Sequence, residues 1–247
     1  MKIRYFSIFF LFLQSGAFAQ TSLVELVKNF TETNAALEKG LNSPDQECPT
    51  SSTDFSMIQA KTAVVIDGDR SFEVSVVDEN IVQSLFIQLA NQPHIPFKYP
   101  EGGCNSKAHE MSRLLEKFGI ITGKAFIEGK LRVETLNGPK GYVEWGYHVA
   151  PFLYVEKQGR LEIYVLDPSI FNKAVPLKEW QKIQVKHKNG LITDKYLTKR
   201  FNYNIFQKDE DLSSWNENQI KDSDELNAAY LKVQEQRLKE IQHSKND

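Results

Sequence analysis

Cysteine is scarce in this chain of 247 residues, which contains two cysteines, Cys48 and Cys104, and three methionines. Two cysteines are too few for a disulfide scaffold. The spacings His-x-x-His, Cys-x-x-Cys and His-Glu-x-x-His are absent, so we expect no metal site. The chain also lacks a glycine-rich phosphate loop and a Gly-x-Ser-x-Gly motif. These absences argue against a bound nucleotide and a serine hydrolase, and we expect no cofactor.

An excess of positive charge is lacking as well. The formal net charge is −2 at pH 7, with 30 Lys and Arg against 32 Asp and Glu. Binding to a phosphate backbone needs a basic surface, so nucleic acid is not an expected partner. Beyond residue 19 no segment is apolar enough to cross a bilayer. We therefore expect no membrane partner for the mature chain.

The first 19 residues have the features of a secretory signal peptide. A basic start containing Lys2 and Arg4 precedes an apolar run, and Ala17 and Ala19 form a small-x-small cleavage signal. The alternative, an uncleaved anchor, is disfavoured because the apolar run is shorter than a bilayer is thick. The sequence therefore predicts cleavage after Ala19 and an exported protein, either secreted or periplasmic.

Three regions follow the signal peptide. Residues 20–78 form an N-terminal segment, a candidate pro-region or small subdomain. It contains a predicted helix, a polar loop with Cys48 and two strands, in the ranges Gln20–Leu41, Asn42–Asp54, Gln59–Ile66 and Ser71–Val77. Residues 79–220 form the predicted catalytic domain. Residues 221–247 form a charged C-terminal helix or tail, with a capping box at 222–225 before a helix over 226–241.

The predicted catalytic domain mixes helices and strands. Asp78 is placed to cap a helix over 81–90, and a second helix follows Cys104 and ends at Gly119. Short strands at 124–128 and 130–134 are predicted to form a hairpin, and the strongest strand patterns cover 142–155 and 161–166. Trp180, 196–206 and Trp215 fall in less regular strands and loops. We therefore expect an α+β fold in which an antiparallel sheet packs against helices.

Cys104 is the first candidate for chemistry. Gly102 and Gly103 precede it and allow a sharp turn into a helix. At a helix N-terminus the unpaired N–H groups favour the thiolate and can also bind an oxyanion. A structural buried cysteine, or a disulfide partner of Cys48, explains the position of Cys104 equally well.

His148 and Asp167 lie on the two strongest predicted strands. If the hairpin turns near Lys157–Arg160, an antiparallel ladder places His148 directly across from Asp167 or diagonal to it on the same face. A carboxylate beside an imidazole fixes the tautomer and stabilises the imidazolium. The alternatives are a structural histidine and an Asp-Pro turn. His94, His109, His187 and His243 are weaker candidates for a base.

Three sequence blocks resemble the bacterial protein-glutaminase family. They are Phe97-Lys-Tyr-Pro-x-x-Gly-Cys104-x-x-x-Ala-His-x-Met-x-x-Leu-Leu, then Trp145-Gly-Tyr-His148-Val-Ala, then Leu166-Asp167-Pro-Ser-Ile-Phe171 with Trp180 beyond. Order and spacing match over about Ile81 to Trp180. The resemblance implies a core similar to that of transglutaminases and papain-like enzymes, with the cysteine on a helix end and the histidine and aspartate on neighbouring strands.

The resemblance also implies an activity and its residues. Cys104 matches the nucleophile, His148 the base and acid, and Asp167 the group that orients the histidine. The implied reaction is the deamidation of glutamine side chains in proteins or peptides through a thioester, with release of ammonia. Trp145 and Tyr147, which lie beside His148 in the same block, are expected to contact the substrate.

The chain departs from the family pattern in three ways. Asn105, Ser106 and Lys107 replace the Tyr-Ala-Arg that follows the cysteine in the family, which implies a different substrate preference. No cysteine follows Cys104, so the family's disulfide-rich C-terminal part has no counterpart. The family's inhibitory pro-segment has no clear match within 20–78. A reversible Cys48–Cys104 disulfide that keeps the enzyme latent is one hypothesis, and a free Cys48 is the other.

Other functions remain open at this point. A transglutaminase or a thiol peptidase would use the same three residues, because the thioester is shared and the second nucleophile or the scissile bond differs. A periplasmic binding or inhibitory module is the third interpretation, although all three site residues are present. The physiological substrate and the oligomeric state do not follow from the sequence.

Overall fold

The computed structural model describes residues 60–135, 137–138 and 140–243. All of them belong to one unit of the chain. The predicted signal peptide, the helix over 20–41 and Cys48 lie outside the described residues. Across the described ranges, no helix combines the length and the apolar character that a bilayer span requires.

Seven strands form one sheet, and helices pack against it. The strands are β1 (Lys61–Asp67), β2 (Arg70–Asp78), β3 (Gly123–Glu134), β4 (Tyr142–Lys157), β5 (Arg160–Val165), β6 (Val175–Pro176) and β7 (Leu191–Lys199). The helices are α1 (Glu79–Ala90), α2 (Cys104–Lys117), α3 (Leu177–Gln184) and α4 (Glu217–His243), with a 3-10 turn at Ile205–Gln207. The predicted α+β class is confirmed.

The long strand β4 organises the sheet. Its first part pairs with β3, and its last part pairs with β5. β1, β2, β4, β3 and β7 follow one another across the sheet. Residues 76–78 of β2 pair in parallel with residues 154–156 of β4. The sequence analysis predicted an antiparallel sheet, and the other strand pairs are antiparallel. Parallel pairing is open to β2 because two helices and β3 separate it from β4 along the chain.

The pairing of β2 with β4 corrects a domain boundary. The sequence analysis placed 60–78 in an N-terminal segment apart from the catalytic domain. In the structure β1 pairs with β2 over its whole length, and β2 pairs with β4. A boundary after residue 78 would therefore divide a single sheet. Asp78 itself caps α1 as predicted, since its carboxylate accepts a hydrogen bond from the Ile81 amide.

The hairpin predicted over 124–134 is wrong, because β3 is a single strand of 12 residues. Gly129 has a φ of +148°, and the register to both neighbouring strands shifts beside it. A Cβ atom at Gly129 would lie 1.9 Å from the Leu191 carbonyl oxygen of β7. A glycine inside a strand pattern can mark a bulge as well as a turn, and here it marks a bulge.

The main hydrophobic core lies against one face of the sheet around Trp180. Trp180 is fully buried and belongs to α3, so its assignment to an irregular region was wrong. The cluster around it consists of Val65, Phe72, Val74, Ala125, Ile127, Leu131, Ala150, Phe152, Val165 and Val175. A second cluster, formed by Ala108, Phe126, Val149 and Tyr196, packs against Cys104 and Tyr147. Burial of these side chains fixes α2 and α3 against the sheet that contains β4, which carries His148, and β5, which precedes Asp167.

The C-terminal helix α4 begins at Glu217, not at Leu226 as predicted. Asn216 provides the N-terminal cap, because its side-chain oxygen accepts from the amides of Asn218 and Gln219. The predicted capping box at 222–225 therefore lies inside the helix. A capping box and a helical surface share polar residues, which explains the error.

Candidate active site

Cys104 is the first residue of α2, directly after the turn formed by Gly102 and Gly103. Gly103 has a φ of +71°, a conformation that L residues rarely adopt. It has no side chain to cap the helix, so the first N–H groups of α2 receive no side-chain acceptor. The thiol of Cys104 is free and half-buried. Because Cys48 lies outside the described residues, the Cys48–Cys104 disulfide stays a prediction.

His148 and Asp167 form a buried pair. Their side chains are each 3% exposed, and the His148 Nε2 atom lies 2.7 Å from Asp167 Oδ2. Phe152 pairs with Val165 in the β4–β5 ladder, and Leu166 donates to the Pro151 carbonyl just beyond it. In this register Asp167 is diagonal to His148, which is one of the two arrangements that the sequence analysis proposed.

Two further groups hold the carboxylate of Asp167. Trp180 donates from Nε1 to Oδ2 at 2.8 Å, and the Ser169 amide donates to Oδ1 at 3.2 Å. The oxygen that receives the His148 bond therefore also receives the indole bond. A buried carboxylate with three donors stays fixed in orientation beside the imidazole.

The Asp167 carboxylate controls the charge of His148. Burial lowers the pKa of His148, but the charge and hydrogen bond of Asp167 raise it, and so does the interaction with the Cys104 thiol. The net result is a pKa of about 9. The ring is therefore an imidazolium at neutral pH. Its Nδ1 atom is buried and makes no well-aligned hydrogen bond within the described residues. Nδ1 is therefore the ring nitrogen left for the thiol, because Nε2 is bound to Asp167.

Aromatic rings enclose the imidazole. Trp145 stacks on His148 with ring centroids 4.8 Å apart, and Trp180 lies 5.7 Å away on a nearly parallel plane. Trp145 also lines a groove of about 620 Å³ with Arg132, Glu144 and His187. Trp145 therefore belongs both to this groove and to the stack on the imidazole.

Tyr147 lies beside the thiol. Its hydroxyl forms a hydrogen bond with Cys104, and its side chain is half-buried. Burial raises the pKa of Tyr147 above its usual value, and the charges of Cys104 and Tyr230 raise it further. The hydroxyl is therefore a neutral donor at physiological pH. Contact of Trp145 and Tyr147 with a substrate stays a prediction.

Lys107 is a buried residue close to Cys104, and the sequence analysis did not predict its burial. It lies one helical turn after Cys104 and is 2% exposed, and its Nζ atom donates to the Tyr99 carbonyl at 2.5 Å. Burial lowers the pKa of Lys107 to about 8, although the charges of Cys104, Asp167 and Glu101 oppose that change. Lys107 therefore adds positive charge near the thiol at neutral pH.

Metal ligands do not converge at this site. Within the described part of the chain, no group of three or more His, Cys, Asp or Glu side chains is arranged to hold a metal ion. His94 pairs with Glu110 at 3.2 Å, and His187 lies 3.2 Å from the Lys130 carbonyl. His109 is fully buried on the same helix as Cys104 and contacts Lys124.

Comparison with known proteins agrees with this architecture. Residues 82–184 match a family model described as Glutaminase. The match contains Cys104, His148 and Asp167 and ends within the last turn of α3. No curated protein sequence matches the chain significantly. The family model thus covers the central part of the chain and leaves out β1, β2, β7 and α4.

Three solved structures share the fold. The NMR structure of protein-glutaminase from Chryseobacterium proteolyticum is 26% identical, with a TM-score of 0.52 over 60% of this chain and 85% of that chain. A crystal structure of protein-glutaminase is 25% identical, with a TM-score of 0.52 over 64% and 86%. A crystal structure of pro-protein-glutaminase is 26% identical with the same TM-score, over 64% of this chain and 57% of that chain. The resemblance seen in the sequence is confirmed, because residues 82–184 match the Glutaminase family model and the chain shares its fold with protein-glutaminases.

Proposed function

We propose that this protein hydrolyses the side-chain amide of glutamine residues in proteins or peptides and releases ammonia. The observation that carries the proposal is a free thiol at a helix start that interacts with the imidazole of the buried His148–Asp167 pair. The family of residues 82–184 and the similar protein-glutaminase structures supply the substrate class.

The first half of the reaction forms a thioester. The Cys104 thiolate, paired with the His148 imidazolium, attacks the carbonyl carbon of the glutamine amide. The oxygen of the tetrahedral intermediate takes up negative charge, and the uncapped N–H groups at the start of α2 can donate to it. The C–N bond then breaks, and the amide nitrogen leaves as ammonia with the proton of His148. Cys104 is left joined to the substrate through a C–S bond.

The second half of the reaction returns the thiol. Neutral His148 accepts a proton from water, and the resulting hydroxide attacks the thioester carbon. The C–S bond breaks, the sulfur leaves as thiolate, and the carboxylic acid that forms loses its proton to solvent to give a glutamate side chain. The Asp167 carboxylate keeps a proton on Nε2 throughout, so that Nδ1 exchanges protons with the substrate and with water.

Trp145 and Tyr147 are proposed to receive the substrate. Trp145 lines the groove of about 620 Å³, and its ring stacks on the imidazole of His148. The Tyr147 hydroxyl lies at the thiol, where it can donate to the amide oxygen of a bound glutamine. A glutamine side chain is narrow and polar at its tip, which fits entry between an indole wall and a hydroxyl donor.

Ammonia release from a protein substrate and from free glutamine tests the proposed function. We expect release from the protein, conversion of glutamine to glutamate by peptide mass spectrometry, and no cross-links or cleaved chains. Cys104→Ser should abolish the release and leave the circular dichroism spectrum unchanged. Cross-linking would instead favour a transglutaminase, and chain cleavage a thiol peptidase. Full ammonia release by Cys104→Ser would exclude the mechanism.

Export through residues 1–19 is part of the same proposal. The basic start, the apolar run and the Ala17-x-Ala19 signal support it. N-terminal sequencing of the protein recovered from the cell envelope and from the medium should find Gln20 as the first residue. An intact Met1 on the mature protein would contradict it.

A further inference from the structure

The C-terminal helix α4 lies outside the matched segment 82–184, yet it packs on the start of α2. The Ser223 hydroxyl donates to the Ser106 carbonyl at 3.0 Å, and the Ser106 hydroxyl donates to Asn227 at 2.9 Å. All three side chains are buried. These bonds join α4 to the first turn of the helix that begins with Cys104.

Tyr230 covers the turn before Cys104. A Cβ atom added to Gly103 would lie 2.8 Å from the Tyr230 ring, and one added to Gly102 would lie 3.1 Å from it. Backbone and ring are therefore in direct contact, and at Gly103 this contact and the φ of +71° together require glycine. The Tyr230 ring also stacks on Tyr99, with centroids 5.0 Å apart and planes inclined by 22°.

The next turns of α4 hold the other end of the loop 98–103. Gln234 accepts a hydrogen bond from the Lys98 amide at 2.8 Å. Arg237 forms an ion pair with Glu101, and its guanidinium lies 4.6 Å from the centre of the Tyr99 ring. One face of α4 thus contacts this loop through a stacked ring, a backbone hydrogen bond and a charge pair.

The same loop is tied to the imidazole from its inner side. Trp145 donates from Nε1 to the Pro100 carbonyl at 2.9 Å and stacks on His148. Lys107 donates to the Tyr99 carbonyl. The loop therefore lies between α4 on the outside and groups that adjoin the triad on the inside. A displacement of the loop would move Cys104 relative to His148.

We propose that α4 positions the nucleophile, and that Tyr230 is the positioning residue through which it acts, by holding the Gly102–Gly103 turn so that the Cys104 thiol faces His148. This inference rests on the proposed function for its rate measurements. The ring of Tyr230 carries the effect, because ring atoms make the contacts with the turn and with Tyr99. Misplacement of a nucleophile by about 1 Å lowers a rate by about a hundredfold.

Three variants of the full-length protein test the inference. Tyr230→Ala should lower kcat for ammonia release by about ten- to hundredfold with KM changed by less than about threefold, because positioning acts on the chemical step. Tyr230→Phe keeps the ring and should retain most of the rate. Lys232→Ala alters an exposed residue of the same helix and should match the wild type.

A second readout does not depend on glutamine. Alkylation of Cys104 by iodoacetamide, followed against pH, reports the thiolate held by His148. Tyr230→Ala should shift this profile, whereas Tyr230→Phe and Lys232→Ala should not. If Tyr230→Ala fails to fold, Gly102→Ala serves as the second variant. Its methyl group would lie about 3.1 Å from the Tyr230 ring and should lower kcat several-fold.

The outcomes separate this inference from the proposed function. A wild-type protein that releases no ammonia contradicts the function, while a shifted alkylation profile in Tyr230→Ala still supports the positioning. Unchanged kcat and an unchanged profile in Tyr230→Ala overturn the positioning while the function stands. Equal losses in Tyr230→Phe and Tyr230→Ala overturn the role of the ring.

Discussion

His148 and His109 are both buried, but their surroundings favour opposite charge states. His148 faces the carboxylate of Asp167, and its pKa rises to about 9. His109 lies 3.1 Å from the Lys124 ammonium nitrogen. Burial lowers the pKa of His109 far below its ordinary value, and the charges of Lys124 and Arg113 lower it further. Burial acts in the same direction at both rings, so the charged neighbour decides the outcome.

The difference separates the histidine of the proposed active site from a structural histidine on a neighbouring element. His109 is enclosed by the edges of the Tyr203 and Trp215 rings, and Lys124 also donates to the Asn202 carbonyl at 2.6 Å. Such a neutral ring joins α2 to β3 and to the segment after β7. The charged ring of His148 has a proton to give. A lone histidine in a sequence does not reveal which kind it is.

Asp167→Asn should have the largest effect, because it removes the charge that distinguishes His148 from His109. We expect kcat to fall by about a thousandfold or more, since the ring loses its orientation and its stabilised positive charge. The alkaline limb of kcat/KM, expected near pH 9 as His148 loses its proton, should move to lower pH.

Steady-state rates across pH measure both effects of Asp167→Asn. Asp194→Asn is the matched control, since Asp194 pairs with Lys208 at the surface. A pH profile unchanged by Asp167→Asn would show that this carboxylate does not set the charge of the base.

Trp180→Phe should have a smaller effect on the same pair. The substitution keeps an aromatic ring in the core and removes the hydrogen bond from Nε1 to Asp167. We expect kcat to fall by about tenfold, corresponding to a lost charge-assisted hydrogen bond of about 1.5 kcal/mol. Rate measurements at a temperature where both proteins are folded test this. A rate equal to that of the wild type would mean that His148 and Ser169 suffice to orient Asp167.

Lys124→Met should lower the free energy of unfolding and leave kcat unchanged. Methionine fills a similar volume but leaves His109 and the Asn202 carbonyl without their donor. We expect a loss of about 1–3 kcal/mol in the free energy of unfolding, as for other unsatisfied buried groups. Urea unfolding measures it, and kcat per folded molecule should stay unchanged. A large fall in kcat would mean that Lys124 contributes to the reaction, and the Lys124–His109 pair would then not be purely structural.

His109→Gln should change how stability depends on pH. The folded pKa of His109 lies below the unfolded value of 6.5, so its contribution is present above about pH 6.5 and is lost as the pH falls. His148 behaves in the opposite way. Its contribution is full below about pH 6.5 and is lost as the pH rises through about 9.

Urea unfolding at several pH values tests the His109→Gln substitution. We expect it to flatten the acid limb by up to about 1.4 kcal/mol per pH unit, the value for one proton. Glutamine keeps a group that can accept from Lys124. The same acid slope in both proteins would show that His109 is not the group that titrates.

The sequence predicted the strand–turn–strand arrangement of His148 and Asp167 because both carry strong local signals. Aromatic and β-branched residues define β4 and β5, and Gly159 adopts a φ of +74° in the turn between them. The register then follows from the turn. Cys104 followed from the glycine pair before a helical pattern. The positions of side chains that local geometry fixes could therefore be predicted from the sequence.

The positions of side chains that distant partners fix could not be predicted from the sequence. Lys107 and Lys124 are charged residues that a sequence places at the surface, and their acceptors are backbone carbonyls elsewhere in the chain. Trp180 lies in a helix of eight residues, which is too short for a clear periodic pattern. The contacts of α4 with the loop 98–103 are polar and aromatic, so no apolar stripe marks that helix as packed.

Trapping of the acyl-enzyme tests the central claim most directly. A glutamine-containing peptide is mixed with the protein, the reaction is quenched with acid during turnover, and the peptides of the protein are analysed by mass spectrometry. We predict a substrate adduct on the peptide that contains Cys104, at a level that falls in Asp167→Asn, and no adduct in Cys104→Ser. Conversion of glutamine to glutamate at the wild-type rate by Cys104→Ser, with no adduct at position 104, would contradict the account.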